Sequence, residues 1–290
     1  MPGVSLPRES KSGDSCDRRN LGVASPRAAR NGDGLREEKQ TYTASVIERR
    51  NPLWASPIRD AREAPRYSVP EAAHYLDIPS ATLSSWVLGR SYVVSAGKRN
   101  FEPLIRRPDE KDARLSFWNL IEAHALRALR SKHDVPMRHV RTALAYAGKE
   151  YGIERLLLSD DLRAMPGELF LQRLDKLVNI GRSGQEALKE LLETFLQRID
   201  RDLQGIPLRL FPFTRPLEQV TLHDVPRVVL IDPKLGSGRP VLMRKAIRTA
   251  TIADRFGAGE SVSALAADYD LGIADIEEAI RYERPKFLAA

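Results

Sequence analysis

The stretch Tyr67-Ser68-Val69-Pro70-Glu71-Ala72-Ala73-His74-Tyr75-Leu76-Asp77-Ile78-Pro79-Ser80-Ala81-Thr82-Leu83-Ser84-Ser85-Trp86-Val87 decides how this chain of 290 residues is read. Ser68 followed three residues later by Glu71 is a capping box, and Val69, Ala72, Ala73 and Leu76 recur at i, i+3, i+4 and i+7, so an amphipathic helix of two turns starts here. Asp77-Ile78-Pro79 breaks it. Pro79-Ser80 opens a second short helix through about Val87, with Leu83, Trp86 and Val87 as its buried face and Gly89 as its stop. Two short helices, a tight turn and an Ala-Ala pair where the helices must approach closely make a helix-turn-helix.

Downstream, Pro103-Leu104-Ile105-Arg106-Arg107, the polar run Pro108 to Ala113, and Arg114-Leu115-Ser116-Phe117 read as strand, turn and strand: a β-hairpin wing decorated by Arg106, Arg107, Lys111 and Arg114. A longer helix is expected from about Trp118 to Ser131, with Ile121, Ala125 and Leu129 in register. Another follows Pro136, with Met137, Val140, Leu144 and Ala147 on its apolar side. The first domain, residues 65–152, ends there. Between 153 and 182 the runs Leu156-Leu157-Leu158, Glu168-Leu169-Phe170-Leu171 and Leu177-Val178-Asn179-Ile180 lie between turn signals and read as strands. Ala187, Leu188, Leu191, Leu192, Phe195, Leu196 and Ile199 then form a wide apolar stripe, with Lys189, Glu190, Glu193 and Arg198 outside it. That helix must bury its face against its own chain or against a second protomer. Residues 153–222 are thus a linking α+β region, in which Leu208-Arg209-Leu210-Phe211 is an extended strand. In 223–290, Val228 to Ile231 is a buried strand, Asp232 to Gly238 a turn and Arg239 to Leu242 its return. Helices from Ile247 to Phe256, Ser261 to Tyr269 and Ile273 to Tyr282 complete a second, trihelical helix-turn-helix-like unit. The fold class expected is mainly α with small β elements.

Residues 1–64 mix Arg, Ser, Gly, Asp and Pro with almost no apolar period, a composition expected to be disordered; they are either a tail or a stretch ahead of a misplaced start. Nine acidic groups among the first 66 residues argue against a mitochondrial transit peptide, and no apolar h-region marks a secretory signal. Cys16 is the single cysteine, which excludes an intrachain disulfide and a cysteine-based zinc site. The longest apolar run, Ala143 to Ala147, is far short of the roughly 20 residues a membrane helix needs. A cytoplasmic protein without membrane contact is the expectation. The formal net charge is +7, and its distribution is uneven: +4 in residues 1–66, +4 in 67–150, −1 in 151–222 and 0 in 223–290. A surface for a polyanion therefore belongs in the first half.

From Tyr67 to about Ala147, the run Tyr-Ser-Val-Pro-Glu-Ala-Ala, the run Ile-Pro-Ser-Ala-Thr-Leu-Ser-Ser-Trp and a basic wing before a longer helix resemble the MerR-like winged helix-turn-helix. From Val229 to Glu283, Ile231-Asp232-Pro233, Gly238-Arg239-Pro240-Val241, Ile252-Ala253-Asp254-Arg255-Phe256, Ala258-Gly259-Glu260-Ser261 and Leu265-Ala266-Ala267-Asp268-Tyr269 resemble a trihelical bacterial family of unknown function, found in antitoxins paired with PIN-type toxins. The two modules in this order, with the helix and the Leu-Arg-Leu-Phe-Pro-Phe segment between them, resemble the larger, mycobacterial-type VapB antitoxins of type II toxin–antitoxin systems. One departure stands out: relatives carry a Gly-Thr-Arg-Ile run where this chain has Arg244-Lys245-Ala246-Ile247. The resemblance implies operator DNA and a PIN-type ribonuclease toxin as partners, a homodimer that represses its own operon, and no enzymatic activity. A stand-alone MerR-like regulator, whose C-terminal domain dimerises or senses a ligand, is the alternative.

The second helix would present Ser80, Ala81, Ser84 and Ser85 to DNA, with Arg90, Lys98, Arg99, Arg106, Arg107 and Arg114 neutralising phosphates. Short hydroxyls lack the bidentate readout of Arg on guanine or Asn on adenine, so base reading by this helix alone is weak. A helix-turn-helix used only for protein contacts is the competing reading, and which of the two helix-turn-helix-like units touches DNA is left open. The resemblance places toxin binding on the tail, where Arg281, Arg284 and Lys286 would compete with metal at a carboxylate cluster. The histidines at 74, 124, 133, 139 and 223 show no metal-ligand spacing, and His74 and His124 read as core or border residues. No cofactor is expected. Gly236-Ser237-Gly238 lacks the ending of a phosphate loop and reads as a tight turn. Asp160-Asp161 and the Asp268/Asp270 pair lack a partner base, so no catalytic role is assigned.

Overall fold

The computed structural model describes residues 60–94, 97–131, 135–179, 181–215 and 225–284, so the tail expected to be disordered falls almost entirely outside them. Helix α1 (Val69–Leu76) forms as its capping box dictates: Ser68 Oγ accepts the Glu71 N–H at 3.3 Å, and Glu71 Oε2 accepts the Ser68 N–H at 2.9 Å. Asp77, in the left-handed region at φ 53°, ends it. Helix α2 (Ser80–Val87) buries Leu83, Trp86 and Val87 against α1. At Gly89 the chain turns with φ +75°, and a Cβ there would strike the carbonyl of Phe101. Glycine is therefore required where α2 passes into an antiparallel hairpin of β1 (Arg90–Val94) and β2 (Gly97–Phe101), with Arg90 opposite Phe101 and Val94 opposite Gly97.

This hairpin corrects the position expected for the wing. Residues 103–117 do not pair with one another. The Leu104 and Ile105 N–H groups both donate to the Trp86 carbonyl, at 2.7 and 3.0 Å, and Leu115 forms an isolated bridge with Tyr67. The apolar pair that looked like strand instead pins the C-terminal end of α2.

The core is organised around α3 (Phe117–Ser131), in which every residue from Phe117 to Leu129 is buried. Its polar residues are satisfied in place. Ser116 and Asn119 cap each other reciprocally, Asn119 Nδ2 donates to the Arg106 carbonyl at 2.9 Å, and Arg155 holds Glu122 with two bonds of 2.8 and 2.9 Å. Arg127 donates to the Leu76 carbonyl and to Asp77, both at 2.7 Å, tying α3 to the end of α1. Helix α4 (Met137–Tyr151) ends at Gly152 in the left-handed region and packs on α5 (Met165–Val178). Helix α6 (Gly181–Leu196) lays its apolar stripe on α3, so its face is buried within its own chain.

The strands expected between 153 and 182 are replaced by turns, a 3-10 turn (Asp160–Arg163) and α5. Pro166-Gly167 reads as a chain break, but proline is compatible with a first helical turn, and Phe170, Leu171 and Leu174 carry the helical period after it. Gly167 is needed here because a Cβ would fall on the carbonyl oxygen of Leu162, far inside van der Waals contact. Gly167→Ala is expected to cost about 1–3 kcal/mol through forced backbone displacement, read as a lower midpoint in denaturant unfolding. An unchanged midpoint would mean the 162–167 backbone is free to move apart.

Beyond α6, β3 (Ile199–Arg201) pairs antiparallel with β4 (Pro207–Leu210), as expected for the Leu208–Phe211 run, and Leu210 bridges Ile231 next to β5 (Val229–Leu230). Strand β5 pairs with β6 (Val241–Leu242) across a 3-10 turn (Gly236–Gly238), which confirms a tight turn at the Gly-Ser-Gly run. Helices α7 (Thr249–Gly257), α8 (Val262–Tyr269, capped by Ser261) and α9 (Ile273–Glu283) form the second trihelical unit. A polar seam joins it to α1 and the residues leading into it. Tyr67 Oη donates to the Gly238 carbonyl at 2.9 Å and Tyr282 Oη to the Tyr75 carbonyl at 3.0 Å. Arg66 donates to the Pro233 carbonyl at 2.8 Å, and Arg239 reaches both Glu71 and Tyr75.

Candidate nucleic-acid interface

Burial of Leu83, Trp86 and Val87 turns the opposite side of α2 outward. Ala81, Ser84, Ser85 and Leu88 recur there at i, i+3, i+4 and i+7. Ser80, Ala81 and Leu88 are exposed, Leu88 to 47%, and Ser84 and Ser85 are half-buried. The Ser85 hydroxyl is already engaged, donating to the Thr82 carbonyl at 2.7 Å. The helix itself carries no charged residue. Charge enters beside it: Arg90 is exposed at the start of β1, and Lys98 and Arg99 lie on β2 opposite Val93 and Tyr92. The hairpin, and not the 103–117 stretch, is thus the paired β element that follows α2, and Arg90, Lys98 and Arg99 occupy positions on its strands.

The other expected cations are differently placed. Arg106 is exposed. Arg107 donates to the Asp112 carbonyl at 2.7 Å, and Arg114 grips the Asp112 carboxylate with bonds of 2.6 and 2.9 Å. The Arg114 guanidinium holds that carboxyl below the usual carboxylate range. In this loop the cations are thus partly offset by their own neighbours. A residue that sequence reading missed is Arg141 on α4, which donates to the Pro103 carbonyl at 3.0 Å and braces the base of the hairpin. Burial lowers its pKa from the ordinary arginine value.

The second trihelical unit presents a different surface. Lys245 pairs with Asp270 at 2.9 Å and Arg244 lies 3.8 Å from Asp275, so two of its cations are matched by acids. Of the three tail cations, Arg281 pairs with Glu278, Arg284 is exposed at the end of α9, and Lys286 lies outside the described residues. His74, half-buried, lies 3.3 Å from Glu283, and His124 is buried in the core. His133 and His223 lie outside the described residues.

A helix-turn-helix head followed by a basic hairpin and carried on a helical core is the arrangement of a DNA-binding protein of the helix-turn-helix class. A family model described as "Putative DNA-binding HTH domain" matches residues 65–144, and one described as "Protein of unknown function (DUF433)" matches residues 229–282. Over 235 residues the chain is 30% identical to "Putative antitoxin VapB45" of Mycobacterium tuberculosis, covering 75% of this chain and 93% of that protein; it belongs to the family of that antitoxin. It is also 23% identical to "Uncharacterized protein Rv2308" of the same organism, over 77% of this chain and 92% of that one. The fold resembles the crystal structure of Rv2018 from Mycobacterium tuberculosis, with a TM-score of 0.53 and 24% identity over 75% of this chain and 98% of that chain.

Proposed function

We propose that this chain is a cytoplasmic antitoxin that neutralises a PIN-type ribonuclease toxin and regulates its own operon by binding operator DNA as a dimer. The observation that carries the reading is its membership in the VapB45 antitoxin family together with a helix-turn-helix whose outward face is uncharged and flanked by Arg90, Lys98 and Arg99. The charge distribution favours the first helix-turn-helix over the second as the DNA-binding unit, because Arg244 and Lys245 already face acids. Two half-sites held by a dimer would compensate for the weak readout of each short α2. The protein acts by binding and not by catalysis.

The DNA half of the reading is tested by duplex binding of the full chain at several salt concentrations. Replacing Arg90, Lys98 and Arg99 with Ala is expected to reduce the salt slope by up to about 3, at roughly 0.9 per phosphate contact. An unchanged slope would show that the hairpin does not touch the backbone of DNA. The toxin half predicts that replacing Arg281, Arg284 and Lys286 with Ala relieves inhibition of the toxin; inhibition that persists unaltered would remove the tail from the mechanism.

A further inference from the structure

We infer that the outward face of α2 reads thymine 5-methyl groups in the DNA major groove, through Ala81 and Leu88. The inference rests on the DNA-binding reading above and goes on to name the base feature recognised. The face holds Ser80, Ala81, Ser84, Ser85 and Leu88, and none of these can make the bidentate bonds that identify guanine or adenine. Ser85 is occupied within its own helix. What the face offers beyond two free hydroxyls is hydrocarbon, the exposed methyl of Ala81 and the 47% exposed side chain of Leu88.

Leu88 is an isobutyl group left in water just past the last turn of a helix whose other large apolar residues, Leu83, Trp86 and Val87, are at most 2% exposed. In B-DNA the thymine methyl is the apolar feature of the major-groove edge, and small apolar side chains are its natural contacts. The flanking charge selects this occupant. Arg90 is exposed two residues beyond Leu88, Lys98 and Arg99 follow on the paired strand, and α2 carries no acid to repel phosphates. Short side chains also let the helix backbone lie close to the groove floor, which brings methyl groups within contact distance.

The test uses the full chain and a pool of random 30-base-pair duplexes made with thymine, taken through rounds of selection. The enriched duplex is then prepared twice, with thymine and with deoxyuridine, which lacks the methyl. Binding about fourfold weaker per contacted methyl is expected for the deoxyuridine form. Leu88→Ala should narrow the difference between the two forms, since the side chain is exposed and its loss leaves the fold intact. Equal affinity for both forms, with selection successful, would overturn the inference and leave the DNA-binding reading standing. Failure to enrich any duplex would overturn both. A Leu88→Ala variant that keeps its thymine preference but falls from dimer to monomer would assign the patch to self-association and overturn the inference as well.

Discussion

Arg198→Met is expected to destabilise the protein by about 3–5 kcal/mol, the largest effect of any single substitution considered. Arg198 follows α6, only 5% exposed, and gathers four carbonyls: Phe211 at 2.6 Å, Val225 at 3.0 Å, and Pro212 and Pro226 at 3.1 Å each. Its guanidinium lies 4.6 Å from the centre of the Phe213 ring. Burial lowers its pKa to about 10, so it remains charged at neutral pH and the carbonyl dipoles take the place of a counter-ion. Swapping a buried ion pair for hydrocarbon is often nearly neutral, because both partners leave together. Here the partners are backbone and stay behind, deprived of this donor. Methionine keeps the flexible stem but leaves the guanidinium's space empty, so the expected loss combines the missing hydrogen bonds with lost packing on Phe213. Arg198→Lys should fall between the two, since an ammonium cannot match the fork of a guanidinium. Urea unfolding of the three proteins checks this, and a Met variant as stable as the parent would contradict it.

The second large effect is an acid lability centred on His124. Its ring packs against both Phe195 and Phe213, with centroids 4.9 and 5.8 Å away, and its Nε2 donates to the Phe195 carbonyl at 3.0 Å. Burial lowers its pKa to about 3, partly opposed by the bond to Phe195 and reinforced by the nearby charges of Arg127 and Arg198. The unfolded chain takes up a proton near pH 6.5 that the folded chain refuses until about pH 3, so this residue's contribution to stability is lost as pH falls through that window. The loss amounts to about 2 kcal/mol at pH 5 and about 4 kcal/mol at pH 3. Carboxylates titrate in the same range, so the informative quantity is the stability gap between the parent and His124→Phe. That variant starts less stable at pH 7, having lost the bond to Phe195, and the gap should close by about 2 kcal/mol at pH 5. A gap that stays constant would mean the folded protein protonates His124 without penalty.

The two short N-terminal helices were legible because their signals are local. The capping box, the break at Asp77-Ile78-Pro79 and the three apolar residues of α2 each act within a few residues, and they also determine that Ser80, Ala81, Ser84 and Ser85 face outward. The hairpin was not legible, since its second strand, Gly-Lys-Arg-Asn-Phe, has little strand propensity and is held by pairing with Arg90–Val94. Leu104 and Ile105 misled for the opposite reason: they are extended and apolar, but their N–H groups go to Trp86. Helix α5 was hidden by Pro166-Gly167, whose tolerance depends on the close passage of Leu162. Arg198 was placed outside the stripe of α6 by helical projection, yet the helix ends at Leu196, and projection says nothing about the residues after it. In the site, Leu88 was overlooked because an apolar residue closing a buried helix is read as core. Arg141 was overlooked because its partner, Pro103, is 38 residues away in the chain.

Antitoxin activity implies a bound toxin in the cell, and purifying the tagged full-length protein from its native host after nuclease treatment, with mass spectrometry of what elutes with it, reads this out. A small PIN-type ribonuclease is expected in near-equal amount. Recovery of the chain alone, still able to bind DNA, would contradict antitoxin activity and identify the protein as an independent regulator.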